Sequence, residues 1–135
     1  MVLPKKLYDE IYSQVPRICV EILINTNKGF VLSKRLIPPC VNMWHIPGGT
    51  VYIRERLDDA ARRIALEELG AKINVIRIIG IINYLKIFDS QLLSPERQPY
   101  DKSEEHAVGI VFLCRLDDNY SFKGSFQAEE INIFN

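Results

Sequence analysis

Hydrophobic and polar positions alternate from Ile18 to Thr26. Ile18, Val20, Ile22 and Ile24 point one way and Cys19, Glu21 and Leu23 the other, the period of a strand. Asn27-Lys28-Gly29 is a turn signal, and Phe30 to Arg35 returns as a second strand. Further on, Leu57, Ala60, Ala61, Ile64 and Ala65 recur at helical spacing, so Arg56 to Leu69 predicts an amphipathic helix. Asp58 and Asp59 suit its positive end, Gly70 suits the position past its other end, and Arg56 is a poor cap. A short helix is expected over Pro4 to Ser13, with Leu3, Leu7 and Ile11 on one face and Pro16 blocking its continuation. Ile73 to Phe88 reads as a long strand with a bend or bulge at Gly80, and Glu105 to Leu116 as another. Tyr120 to Phe126 and Glu130 to Phe134 are shorter apolar pieces. Pro38-Pro39 opens a loop that runs to Gly49, and the polar stretch Asp89 to Ser103 is a loop long enough to suspect of function. The pattern predicts an α+β fold: a mixed sheet with helices against it.

Composition narrows this little. A chain of 135 residues is the usual size of one domain and buries a real core, so 1–135 is read as a single domain. Seventeen basic and seventeen acidic residues give a formal net charge of zero, without the basic footprint of a nucleic-acid binder. No apolar run reaches membrane-spanning length, and Met1 to Glu10 has no signal-peptide layout, so no membrane association and a cytoplasmic location are expected. Cys19, Cys40 and Cys114 are odd in number and match no zinc spacing. Cys19 and Cys114 lie in apolar strands, where cysteine serves as a small hydrophobe.

Candidate chemistry is concentrated between Gly48 and Ala71. Gly48 and Gly49 permit a bend that brings a carbonyl close to a ligand or ion. On the following helix Arg63 and Glu67 are four apart and can pair. Glu67 and Glu68, with the carbonyl of Gly48, would offer hard oxygens suited to Mg²⁺ or Mn²⁺. A metal there would neutralise and orient a diphosphate. Taken alone, a Glu-Glu pair on a helix is surface decoration. The spacing is more specific: Gly49, five residues, Glu55, seven residues, Arg63, three residues, Glu67-Glu68, one residue, Gly70. Trp44, before the glycine bend, is placed either to stack on a base or sugar or to pack in the core. Arg35, ending the second strand, is either a phosphate-holding cation or a solvated strand end.

This spacing resembles the Nudix box, Gly-x5-Glu-x7-Arg-Glu-U-x-Glu-Glu-x-Gly-U, with U aliphatic, matched at Gly49, Glu55, Arg63, Glu67, Glu68 and Gly70. The resemblance implies a Nudix-type α/β/α sandwich and a catalytic group of Glu55, Arg63, Glu67 and Glu68, with Glu55 pairing to Arg63 to brace loop against helix. One position departs: where the family has Glu after the arginine, this chain has Ile64. GDP-mannose mannosyl hydrolases also carry an aliphatic residue there, use one Mg²⁺ and displace at the sugar carbon. Similarity to that subgroup implies substrate-binding roles for Glu21, Arg35 and His106 and a late metal-binding role for Gln127. Thr50 and Ala128 depart from it, standing where the subgroup has Arg and a general-base His. The chain stops at Asn135, where the family commonly continues into a C-terminal helix.

Three readings follow. The first is metal-dependent hydrolysis of a nucleoside diphosphate sugar, GDP-mannose-like, to nucleoside diphosphate and sugar. The second is a pyrophosphohydrolase attacking phosphorus in ADP-ribose-like compounds or nucleoside triphosphates. The third is a Nudix-fold nucleotide-binding module that no longer catalyses. The apolar face of the N-terminal helix leaves room for a homodimer.

Overall fold

The computed structural model describes residues 2–35, 43–85, 106–116 and 128–134; the side chains of 35, 85 and 128–131 lie outside this description. Helix α1 spans Lys5–Tyr12, and strands β1 and β2 span Arg17–Thr26 and Gly29–Arg35. Two short strands follow, β3 at Trp44–His45 and β4 at Gly48–Thr50, then helix α2 at Leu57–Leu69. Strands β5 at Ile73–Leu85, β6 at His106–Leu116 and β7 at Ala128–Phe134 complete the order. The expected pieces at 38–39, 89–103 and 120–126 lie outside the described residues.

The seven strands among the described residues form one mixed sheet in the order β3-β2-β1-β6-β5, with β4 also on β1 and β7 also on β2. β1 and β6 run parallel, Arg17 opposite Ala107 through Asn25 opposite Arg115. β5 returns antiparallel on β6, with register shifts between Val75 and Arg77 and between Ile78 and Gly80. The irregularity expected at Gly80 is therefore a bulge.

The segment expected to be loop up to Gly49 instead carries two short strands in its described part, residues 43–49. β1 and β2 pair at their hairpin end, Asn25 with Phe30 and Thr26 with Gly29. Farther from the turn, β3 pairs with Ser33 and Lys34 of β2, and β4 pairs with Cys19, Val20 and Glu21 of β1. The glycine segment is thus held by ladder bonds to both strands. Two- and three-residue strands have no visible period, so only their pairing reveals them.

The core lies between α2 and one face of the sheet. Val20, Ile22 and Ile24 of β1 are fully buried, against Ala60, Ala61, Ile64, Ala65 and Leu69 of α2 and Phe112 and Cys114 of β6. The three alanines bring the helix axis close to the strands. Each buried Val, Ile or Leu side chain contributes about 1.5–3 kcal/mol. α2 has no side-chain cap at Arg56, and Asp58 and Asp59 in its first turn offset this at the positive end of the dipole. It stops at Gly70, whose φ of 64° turns the chain left-handed while the N–H groups of Gly70 and Ala71 donate to Leu66 and Ala65. α1 has no buried residue; the hydroxyl contact of Tyr8 with Thr50 ties it to β4. No described helix is long and apolar enough to cross a membrane.

Candidate active site

The turn leading into α2 sets the site. The N–H of Glu55 donates to the carbonyl of Tyr52, and Arg54 takes a φ of 63°, as the third position of a type II turn requires. The turn places Glu55 beside α2, where its carboxylate accepts from the N–H of Tyr52 at 3.0 Å. Arg63 locks the arrangement. Its Nε donates to Glu55 Oε2 at 2.7 Å, and Nη2 donates to Glu55 Oε1 at 3.0 Å and to the carbonyl of Thr50 at 2.8 Å. Nη1 donates to Glu67 at 3.1 Å, and the guanidinium sits 3.7 Å over the ring of Tyr52. Four of the five N–H groups of an arginine are therefore spent on protein. Glu55 and Arg63 hold β4, the turn and the helix in one unit. The hydrogen bond from Arg63 keeps the Glu55 carboxyl below its ordinary value, against partial burial and with help from the Tyr52 amide.

Ile64 is 1% exposed, and a Cβ added at Gly49 would lie 3.4 Å from its Cγ1. The aliphatic residue is thus core, wedged between α2 and the glycine segment. Glu68 lies one turn further along the same helix face and is buried at 8% exposure, whereas Glu67 faces outward and reaches Arg63. Among the described residues no group of three or more His, Cys, Asp or Glu converges on one point. A metal here would draw on Glu67, Glu68 and backbone carbonyl, all hard oxygens. Mg²⁺ commonly takes one or two carboxylates and keeps several waters, so this donor set fits it.

Glu21 lies on the other face of the sheet, directly opposite Gly48 in the β1–β4 register. A Cβ at Gly48 would come within 2.9 Å of Glu21 Cγ, and one at Gly109 within 3.2 Å of Glu21 Oε2 and 3.0 Å of Tyr84 Cε2. Two glycines on flanking strands thus open the slot in which Glu21 lies. The Tyr84 hydroxyl donates to Glu21 Oε1, while Oε2 is buried without a hydrogen-bond partner among the described residues. Burial raises the Glu21 carboxyl, opposed by the Tyr84 hydrogen bond and the charge of Arg17. Burial and the neighbouring carboxylate raise the Tyr84 hydroxyl as well. Arg17 donates to Thr50 Oγ1 at 3.0 Å and to Cys19 Sγ at 2.8 Å.

The remaining sequence candidates are dispersed. His106 bonds Asn83 Oδ1 at 2.9 Å, and strand alternation puts it on the face of the sheet opposite to Glu21. Trp44 is half-buried and edge-on to Phe134, with ring centroids 5.0 Å apart. The side chain of Arg35 and all of Gln127 lie outside the described residues. Sequence reasoning missed Tyr84, 63 residues from Glu21, and Tyr52 under Arg63. No local pattern marks Tyr84; Tyr52, an aromatic between the glycines and Glu55, was visible but had no assigned partner.

A family model described as the NUDIX domain matches residues 15–132. The low-salt glycan biosynthesis protein Agl8 of Haloferax volcanii is 27% identical over 98% of this chain and 79% of its own length. Among solved structures, a NUDIX hydrolase from Nitrosomonas europaea superposes with a TM-score of 0.69 at 22% identity, over 90% of this chain and 58% of that one. A MutT protein from Methanosarcina mazei Go1 gives 0.67 at 24% identity, over 87% and 76%.

Proposed function

Because the chain belongs to the NUDIX domain family, we propose that it is a Mg²⁺-dependent hydrolase of nucleoside diphosphate sugars, releasing free sugar and nucleoside diphosphate. The observation that carries this reading is Ile64. At 1% exposure it is sealed into the core at the place where the box has an acidic residue, so it supplies neither ligand nor base. That leaves Glu67 and Glu68 as the box carboxylates in the last turns of the helix, a set suited to one metal rather than several. The relative named for glycan biosynthesis supports a sugar-linked substrate, since glycan assembly draws on nucleotide-activated sugars.

In this reading Glu68 and Glu67, with the Gly48 carbonyl and Gln127, hold the metal, whose chemistry is to neutralise and orient the diphosphate. Arg63 and Glu55 keep the glycine segment and α2 in fixed relation, which a site built on rigid elements requires. Arg35 binds the phosphates, Trp44 covers the nucleotide, and Glu21 accepts a hydrogen bond from the sugar; His106, bonded to Asn83 on the opposite face of the sheet, is left out of this set. Water attacks the sugar carbon and gives up one proton to solvent, the carbon–oxygen bond to the diphosphate breaks, and the nucleoside diphosphate leaves with the bonding electron pair.

The test is a screen of purified protein with Mg²⁺ against GDP-mannose, GDP-glucose, UDP-sugars, ADP-ribose and nucleoside triphosphates, run in ¹⁸O-water. Free sugar carrying the label supports the proposal. Label in a nucleoside monophosphate or diphosphate moves the attack to phosphorus. Absence of turnover, or turnover that survives Glu68→Gln, overturns it.

A further inference from the structure

We infer that Arg17 is a phosphate-binding residue of the site, its guanidinium presented from β1 to the diphosphate of the substrate. The inference rests on the reading above and deepens it by naming a cation outside the box. Two arginines are half-buried among the described residues, Arg63 and Arg17. Arg63 commits its donors to Glu55, Glu67 and the Thr50 carbonyl. Arg17 commits only Nη1, and to two neutral groups: Thr50 Oγ1 at 3.0 Å and Cys19 Sγ at 2.8 Å. It pairs with no carboxylate among the described residues. Nε and Nη2 have no partner among those residues, and neither is sealed from water as Glu21 Oε2 is. A half-buried guanidinium of this kind has lost hydration without gaining a counter-charge, and an anion on its open side supplies one.

The position fits a diphosphate. Strand alternation sets Arg17, Cys19 and Glu21 on the sheet face turned away from α2. The contact with Cys19 draws the guanidinium along β1 in the direction of Glu21. Across the ladder Cys19 faces Thr50 and Glu21 faces Gly48, so the guanidinium lies beside the glycine segment whose carbonyl is a candidate metal donor. One divalent ion offsets only part of the charge of a diphosphate. The fork of Nε and Nη2 holds a phosphate through two parallel hydrogen bonds. Thr50, itself in contact with the Tyr8 hydroxyl of α1 at 3.5 Å, aims that fork.

The experiment measures binding of GDP, ADP and UDP in Mg²⁺ by calorimetry, for wild type, Arg17→Met, Arg17→Lys and Thr50→Val. Turnover of the best nucleotide sugar of the screen is measured beside it. Arg17→Met is expected to weaken the tightest nucleoside diphosphate about ten- to a hundredfold, the weight of hydrogen bonds to a charged group, and to lower kcat/KM by a similar factor. Arg17→Lys should recover part of this, since it keeps the charge and loses the fork. Thr50→Val should lose less than Arg17→Met, because the cation remains. The Tm of ligand-free Arg17→Met should stay within about 2 °C of wild type, since no ion pair is broken. The inference is overturned if Arg17→Met binds the diphosphate within about twofold of wild type, if Thr50→Val costs as much, or if the ligand-free Tm falls with the affinity, which makes Arg17 a structural brace. It is overturned too if wild type binds none of the three diphosphates. If wild type binds one through Arg17 yet releases sugar from no nucleotide sugar, the proposed function fails and the phosphate site stands. If nucleotide sugars are turned over and Arg17→Met behaves as wild type, only the Arg17 assignment falls.

Discussion

Replacing Arg63 with alanine removes the node that ties β4, the turn and α2 together. The change deletes two hydrogen bonds to Glu55, one to the Thr50 carbonyl, one to Glu67 and the contact with the Tyr52 ring. The Glu67 arm is worth little, because that carboxylate is 55% exposed and the pair is screened by water. The Glu55 arm is different. Its side chains are 19% and 13% exposed, so alanine would leave a largely desolvated carboxylate with the Tyr52 amide as its remaining partner. Breaking a fully buried pair costs about 3–5 kcal/mol, and partial solvation here reduces that to roughly 2–4 kcal/mol. For a chain of this size the loss lowers Tm by roughly 10 °C. Urea unfolding of Arg63→Ala, Glu55→Gln and the double variant measures it, provided that the urea dependence keeps its slope. The double variant should recover part of the loss, since no orphaned charge remains. Arg63→Lys should recover less than half, because an ammonium cannot replace the bidentate fork. An Arg63→Ala loss under about 0.5 kcal/mol, with no coupling to Glu55, would refute the reasoning.

Three further outcomes are expected. Ile64→Glu, which restores the acidic residue of the box, should cost more than about 3 kcal/mol and gain no activity, because it puts an unpaired charge at a 1% exposed core position; a stable variant with higher Mg²⁺-dependent turnover contradicts this. Glu55 titrates below its ordinary value in the folded state, so its contribution is complete above the unfolded value of about 4.3 and is lost as pH falls through the lower folded value. The stability gap between wild type and Glu55→Gln should therefore be constant from pH 7 to about 5 and close below about pH 4; a gap independent of pH defeats the assignment. Arg54→Gly should stabilise by up to about 1 kcal/mol, since an exposed arginine holds a φ of 63° that glycine adopts freely; a lower Tm argues against strain at this turn.

Features encoded by near neighbours were legible in the amino-acid sequence. The alternation from Ile18 to Ile24 marks β1 and its buried face, the apolar stripe of 57–65 marks α2, and Gly70 marks its end, because each depends on contacts within one or two turns or along one strand. The box spacing likewise placed Glu55, Arg63, Glu67 and Glu68 on one turn and one helix. Other features have no local period. β3 and β4 exist only because β1 and β2 part beyond their hairpin and offer free edges. Ile64 was legible in the sequence as part of the apolar stripe, but only the structure shows that it packs against Gly49 and so wedges the glycine segment against α2. The union of Glu21 with Tyr84 needs β1, β6 and β5 side by side and a glycine between them, a coincidence of three strands that no single stretch of chain records. The sequence alone thus determined the helix, the strands and the carboxylates of the box. The tertiary structure decided which of those carboxylates brace, which are buried and what lies across the sheet, because hydrogen bonding and desolvation are set by neighbours in space.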